Sequence, residues 1–339
     1  MDMHSTMLEN GLEFIFDATE QMRIYEESSD FLKKRRSLKY SLLHLMSGIE
    51  LVMKSRLYIE NWTYIFSKME DANRSALSNG TLKSVEYSKC IDRLKCFCDI
   101  TMSNTDKQAF EDLRQCRNQV EHFYTQESMT AIESKINSAL TATVRFLADN
   151  YEEFESPSVI DIRKDVDISL SDEEKKTIEK ITTAVDSLKS HHQDAVELAI
   201  KRAKSIRLRD ELMLCPDCKE RTLVIADEEC DGNCKCYLCG YMKNCEETAS
   251  DYLERVIGIN EYRIVKYGGE FPLYICPSCG KTSFIRDKTY FKCFSCRVEF
   301  MSEEIKKCKE CGELYEPSEN DIGLCGNCES WVNQKIEKE

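Results

Sequence analysis

The sequence predicts an all-α N-terminal helical bundle followed by small β-rich ribbon modules built on cysteine pairs at the C-terminus. Three observations predict it. Apolar residues in the first ~150 positions recur at the three-and-four spacing of a buried helix face, with strand patterns nearly absent. The 19 cysteines are split unevenly, four before residue 150 and fifteen after residue 210. Those fifteen include a Cys-x-x-Cys pairing that repeats three times. At 339 residues the chain is too long for one ordinary core.

Taken in order, Phe31 to Leu57 carries Leu38, Leu42, Leu45, Ile49, Val52 and Met53 on one face. Asp106 to Tyr124 forms a second helix. Ser128 to Tyr151 forms a third, with Ile132, Ile136, Leu140, Val144 and Leu147 on one stripe. Asn79-Gly80 and Ser103-Asn104 mark turns between them. Residues 152–170 read as an acidic connector. Ser171-Asp172-Glu173-Glu174 is a capping box that opens a long helix to about Arg207, polar enough over its surface to bridge or dimerise. The resulting division is 1–151 helical domain, 152–210 connector and long helix, 211–250 first ribbon, 270–301 second ribbon and 302–335 third ribbon.

Each ribbon offers two cysteine pairs. The first has Cys215, Cys218, Cys236 and Cys239; the second has Cys276, Cys279, Cys293 and Cys296; the third has Cys308, Cys311, Cys325 and Cys328. The pairs are separated by 17 residues in the first and by 13 in each of the others. Two such knuckles joined by a hairpin-sized loop set four thiolates around one tetrahedral ion. The arrangement resembles the zinc-ribbon fold group, with iron in a rubredoxin-like site as the competing metal. Four sulfurs close the coordination sphere, so three structural ions are expected, each supplying folding free energy to a module too small to fold by apolar burial. In the first ribbon Cys230, Cys234 and Cys245 stand as alternative ligands. In the second, Lys281, Arg286, Lys288, Lys292 and Arg297 interleave with Phe284, Tyr290, Phe291 and Phe294. That suits either a base-stacking surface or the ribbon's own small core.

The net charge of −14 argues against a protein coated for non-specific nucleic-acid binding and leaves room for a local basic pocket. No apolar run reaches the roughly 18 residues of a membrane helix. Met1-Asp2-Met3-His4 shows no secretory pattern, so a cytoplasmic protein without membrane association is expected. In that reducing setting the clustered cysteines read as metal sites, and Cys90, Cys96, Cys98 and Cys116 as buried thiols. Adjacent His191 and His192 point different ways on a helix and do not make a metal site.

Chemistry outside the cysteines concentrates in Arg117-Asn118-Gln119-Val120-Glu121-His122. An imidazole moves protons near neutral pH, and a guanidinium clamps a phosphate. On a helix Arg117 and Glu121 also make an ordinary i, i+4 pair. Five residues at about 100° each set Arg117 and His122 roughly 140° apart, whereas Asn118 and His122 share a face. Convergence therefore needs a helix end, an irregular turn or a second copy. Glu50 lies on the apolar stripe of Leu43, Met46, Met53 and Leu57, where a carboxylate needs a partner: Lys54 at i+4, or Arg117.

The stretch resembles the Arg-Asn-x-x-x-His signature of HEPN domains, and residues 37–57 are similar to a helix that precedes the motif there. The likeness covers roughly the first 150 residues. It implies a homodimer with facing motifs in a cleft and a metal-independent endoribonuclease. His122 would serve as general base or acid, Arg117 would stabilise phosphate charge, and Asn118 would hold the imidazole or a phosphate oxygen. Glu50 would orient Arg117, and Arg114 would extend the substrate track. The products would be 2′,3′-cyclic phosphate and 5′-hydroxyl ends. The ribbons would then position RNA or a protein target. By analogy the setting is a toxin or phage-defence system with a protein regulator or antitoxin. Some HEPN domains instead bind RNA or a protein partner without catalysis.

Overall fold

Heptad-scale apolar spacing turns the first half of the chain into long helices. In the computed structural model the described residues are 3–122, 127–151, 170–206, 212–259, 264, 266, 268–287, 289–318 and 321–336, with backbone alone at 3–5, 121–122, 206 and 334–336. Two compact units divide at Asp194 and Ala195.

The first unit begins with α1 (Met3–Glu27) and α2 (Phe31–Glu60), packed against each other along their length. Asp30 caps α2 by accepting from the Lys33 backbone N–H at 2.8 Å. The crossing is close because two glycines meet there. A Cβ at Gly48 would lie 2.6 Å from Ile15 and 2.7 Å from the Gly11 carbonyl oxygen. Ser41 Oγ adds a bond to the Ala18 carbonyl at 2.9 Å.

Short helices α3 (Arg74–Ser78) and α4 (Tyr87–Phe97) follow, then α5 (Asn104–His122) and α6 (Met129–Tyr151). Arg93 holds the intervening loop by donating to the carbonyls of Tyr64, Phe66 and Ser67. Ser103 and Asp106 cap α5 through bonds of 3.1 and 2.7 Å. Leu38, Leu42, Leu45, Ile49, Val52 and Met53 of α2 are buried in one core with Phe110, Leu113 and Cys116 of α5. Ile132, Ile136, Leu140 and Leu147 of α6 join them, and Val144 packs at the edge.

The long helix α7 (Asp172–Ile206) opens on the expected reciprocal cap. The Ser171 N–H donates to Glu174 at 2.8 Å, and the Glu174 N–H donates to Ser171 Oγ at 3.2 Å. The expectation of a separate connector helix needs correcting. Ile178, Ile181, Val185 and Leu188 recur at three-and-four spacing and are buried in the N-terminal core. The compact unit therefore extends to Asp194, well past the expected boundary at 151. No helix among the described residues is long and apolar enough to cross a membrane.

The second unit holds three small antiparallel sheets. They are β1 (Leu223–Asp227), β2 (Asn233–Cys236) and β3 (Met242–Lys243); β4 (Leu273–Tyr274), β5 (Phe284–Asp287), β6 (Tyr290–Cys293) and β7 (Glu299–Met301); and β8 (Lys306–Lys307) with β9 (Leu314–Tyr315). Helix α8 (Cys245–Tyr252) follows the first sheet and α9 (Gly326–Ile336) the last. Each sheet carries one cysteine knuckle toward another, and that placement builds the metal-ligating groups.

Candidate functional site

Among the described residues, three groups of four cysteines converge: Cys215, Cys218, Cys236 and Cys239; Cys276, Cys279, Cys293 and Cys296; Cys308, Cys311, Cys325 and Cys328. Within each group all four sulfurs lie within 4.8 Å of one another. A tetrahedral ion with bonds of about 2.3 Å sets its sulfurs about 3.8 Å apart, whereas a disulfide sets them about 2.05 Å apart. The Cys215–Cys239 and Cys218–Cys236 contacts are 3.6 and 3.7 Å. Cys276–Cys296, Cys279–Cys293 and Cys311–Cys325 are each 3.7 Å. These are the spacings of thiolates around one ion.

The local chain makes each knuckle. After the second cysteine the backbone turns left-handed, at Gly240 (φ 78°), Gly280 (φ 72°) and Gly312 (φ 79°), returning an N–H to the first cysteine's carbonyl at 2.9 to 3.1 Å. Lys219 (φ 65°) and Arg297 (φ 66°) make the same turn with side chains. Cys325 and Cys328 instead meet at the start of α9, where the Glu329 N–H bonds to the Cys325 carbonyl at 2.9 Å. Backbone N–H groups also point at sulfur: Cys296 at Cys293 (3.4 Å) and Cys325 at Cys308 (3.3 Å).

The alternative ligands of the first ribbon separate cleanly. Cys234 and Cys245 face each other at 3.5 Å, and Cys245 Sγ also contacts the Gly232 carbonyl oxygen at 3.1 Å. Cys230 is half-buried and joins no ligating group. Spacing alone left these three open because they crowd the same stretch of sequence as Cys236 and Cys239, although Cys230 ends a turn, Cys234 lies on β2 and Cys245 opens α8.

The second ribbon's aromatics are core. Phe284, Phe291 and Phe294 are buried, with Phe284 stacked on Phe291 at 5.2 Å between centroids. Its cations are partly committed: Lys292 pairs with Glu299 at 3.2 Å, and Arg297 reaches the Ala226 carbonyl and Glu228, each at 3.3 Å. Tyr290 is half-buried and donates to Asp287 at 3.2 Å. Lys288 lies outside the described residues. The rings therefore fill the ribbon and are not a free stacking surface.

In the first unit, Arg117 and Asn118 are half-buried on α5, just past the buried Cys116. Arg117 Nη1 donates to Asn118 Oδ1 at 3.1 Å. The backbone is helical from Arg117 through His122, while the side chains of Glu121 and His122 lie outside the described residues.

Glu50 and Arg114 both have local partners. Glu50 accepts from Lys54 at 3.0 Å, its i+4 neighbour, and not from Arg117. Helical spacing offers Lys54 without any long-range placement, and Lys54 also reaches Ser84 at 3.3 Å. Arg114 makes a bidentate pair with Glu111 at 2.6 and 2.9 Å. That pair lowers the Glu111 carboxyl and raises Arg114, against the opposing effect of burial on both. The charges of Glu50 and Arg114 both reach the buried Tyr87, which burial itself pushes up.

His191 and His192 diverge as adjacent helical residues must. His191 Nδ1 lies 2.9 Å from Glu26, which raises its pKa, and His192 Nε2 lies 3.4 Å from Ser134 Oγ. Comparison with known protein families, curated proteins and solved structures finds no match for this chain.

Proposed function

We propose that the chain is a metal-independent endoribonuclease of HEPN type, acting as a homodimer, with three zinc ribbons that position RNA or a protein target. The observation that carries the reading is the end of α5, where half-buried Arg117 holds Asn118 and His122 stands four residues beyond Asn118. Helical geometry through residues 117–122 leaves Arg117 and His122 roughly 140° apart within one copy. A second copy is the arrangement that lets them converge.

In that site His122 takes the proton of the ribose 2′-hydroxyl or returns one to the leaving 5′-oxygen. Arg117 stabilises the charge that builds on the phosphate. Asn118, already oriented by Arg117, holds the imidazole or a phosphate oxygen. The attacking oxygen lies within the substrate, so the products are 2′,3′-cyclic phosphate and 5′-hydroxyl ends. Arg114 and Glu50 act as structural groups through Glu111 and Lys54. Zinc, where bound by the cysteine groups, supplies only structure, because four thiolates leave no open coordination position. A role in a toxin or phage-defence system rests on analogy with the family.

The test is cleavage of total RNA by purified protein during brief EDTA treatment. Wild type is expected to cut and leave 5′-hydroxyl ends, and Arg117→Ala and His122→Ala to lose at least about a hundredfold in rate. Absence of cleavage by wild type would instead favour a non-catalytic RNA- or protein-binding module.

A further inference from the structure

One side of the first unit carries charge that the fold does not use. Arg35, Arg36 and Lys39, in the first turns of α2, line a cavity of about 700 Å³ with the exposed side chains of Phe31, Leu32 and Tyr40. Among the described residues these three cations enter no hydrogen bond or ion pair. By contrast, Lys135, Arg145 and Arg114 are all paired with carboxylates. Among the described lining residues the carboxylate is Glu127, held by Lys135 at 2.6 Å. The described lining is thus positive and apolar together, on a protein whose net charge is −14.

Helical spacing organises the patch. Arg35 and Lys39 are i and i+4, as are Arg36 and Tyr40, so cations and ring share neighbouring rows along α2. Tyr40 already lies face to face with His44, centroids 6.3 Å apart. The cavity also reaches Val120, one turn beyond Arg117 on α5.

We infer that this cavity is a subsite for single-stranded RNA, with phosphates on Arg35, Arg36 and Lys39 and a base packed against Phe31 or Tyr40. Phosphate contacts need unpaired cations, and bases need exposed aromatic faces; the patch supplies both. Its volume falls within the range of small-ligand pockets. A second copy of the chain fits less well, because isologous docking about this patch would set the same three cations against themselves. The inference rests on the ribonuclease reading for the choice of RNA, and it gives the strand a path to the end of α5.

The test measures binding apart from cleavage. Full-length His122→Ala protein, zinc-loaded, is titrated against fluorescein-labelled single-stranded RNA at several salt concentrations. The same protein carrying Arg35→Gln, Arg36→Gln and Lys39→Gln is expected to bind at least about tenfold more weakly. Its log–log salt slope should be shallower by about two, since each single-strand phosphate contact contributes about 0.7. Phe31→Ala or Tyr40→Ala, whichever removes the ring that carries the base, should weaken binding about tenfold. Unchanged helicity by circular dichroism checks that the triple variant is folded.

Unchanged affinity, or a loss with an unchanged salt slope, would overturn the subsite. So would a triple variant that altered the monomer–dimer equilibrium and left RNA affinity intact, which would assign the face to a second copy. Binding that depends on the three cations, in a protein whose wild type cuts no RNA, would keep the subsite and refute the ribonuclease.

Discussion

Burial pushes the thiols of Cys90 and Cys116 up to about 12, from an ordinary value near 9, because the thiolate loses its hydration in the helical core. Both are buried, as is Cys98, whereas Cys96 is exposed, against the expectation that all four thiols are buried. Brief alkylation of the folded protein at pH 8 is therefore expected to label Cys96 first and leave Cys90 and Cys116 unmodified, as read by peptide mass mapping. Labelling of Cys90 at the rate of Cys96 would contradict the packing of α4 on α2. The folded-state values are raised, so this contribution to stability is complete below about pH 9 and is lost as pH rises toward 12. Melting temperature should fall across that alkaline window. At this scale the sequence was readable where chemistry is local. Lys54 was available to Glu50 by helical spacing alone, and the cysteine pairs announced their own ligands. The separation of Cys234 and Cys245 from the first metal-ligating group was not readable. Cys234 and Cys236 share one face of β2, and the separation depends on α8 starting at Cys245, which faces Cys234 at 3.5 Å.

The helices show which patterns survive translation into structure. The stripes on α2 and α6 were plain because one face is apolar over many turns, and the cap at Ser171 was plain because it is a four-residue motif. The stripe Ile178, Ile181, Val185 and Leu188 was hidden by the polar remainder of α7, yet those four side chains join α7 to the N-terminal core. The second ribbon's aromatics were ambiguous for a different reason. Residues that could stack on bases are the same ones that fill a small core. Close approach of α1 and α2 depends on Gly11 and Gly48, which no periodicity marks. Gly48→Ala would drive its Cβ into Ile15 and the Gly11 carbonyl. Overpacking of this kind costs roughly 1–3 kcal/mol. Urea denaturation monitored by helical ellipticity should show that loss. A Gly48→Ala midpoint equal to wild type would mean the crossing is looser than described.

Across the whole molecule, the two units draw stability from different sources. The first buries a continuous apolar core, while the second is built from small sheets tied by cysteine groups. Chelation is therefore expected to melt the C-terminal unit and leave the helical signal of the first largely intact. The four cysteines of the first group are all buried, whereas Cys296 and Cys311 are exposed. Under a limiting chelator the second and third groups should lose metal before the first, visible as earlier alkylation of Cys296 and Cys311 than of Cys215. Simultaneous release would argue against independent ribbons.

The central claim is a ribonuclease site shared between two copies. It is tested most directly by mixing two inactive proteins, Arg117→Ala and His122→Ala, after co-expression so that mixed dimers form. A shared site takes Arg117 from one copy and His122 from the other, so each mixed dimer rebuilds one intact site. Random pairing then restores about a quarter of wild-type cleavage. Recovery near that level is the predicted result; no recovery, from a wild type that does cut RNA, would contradict the two-copy site.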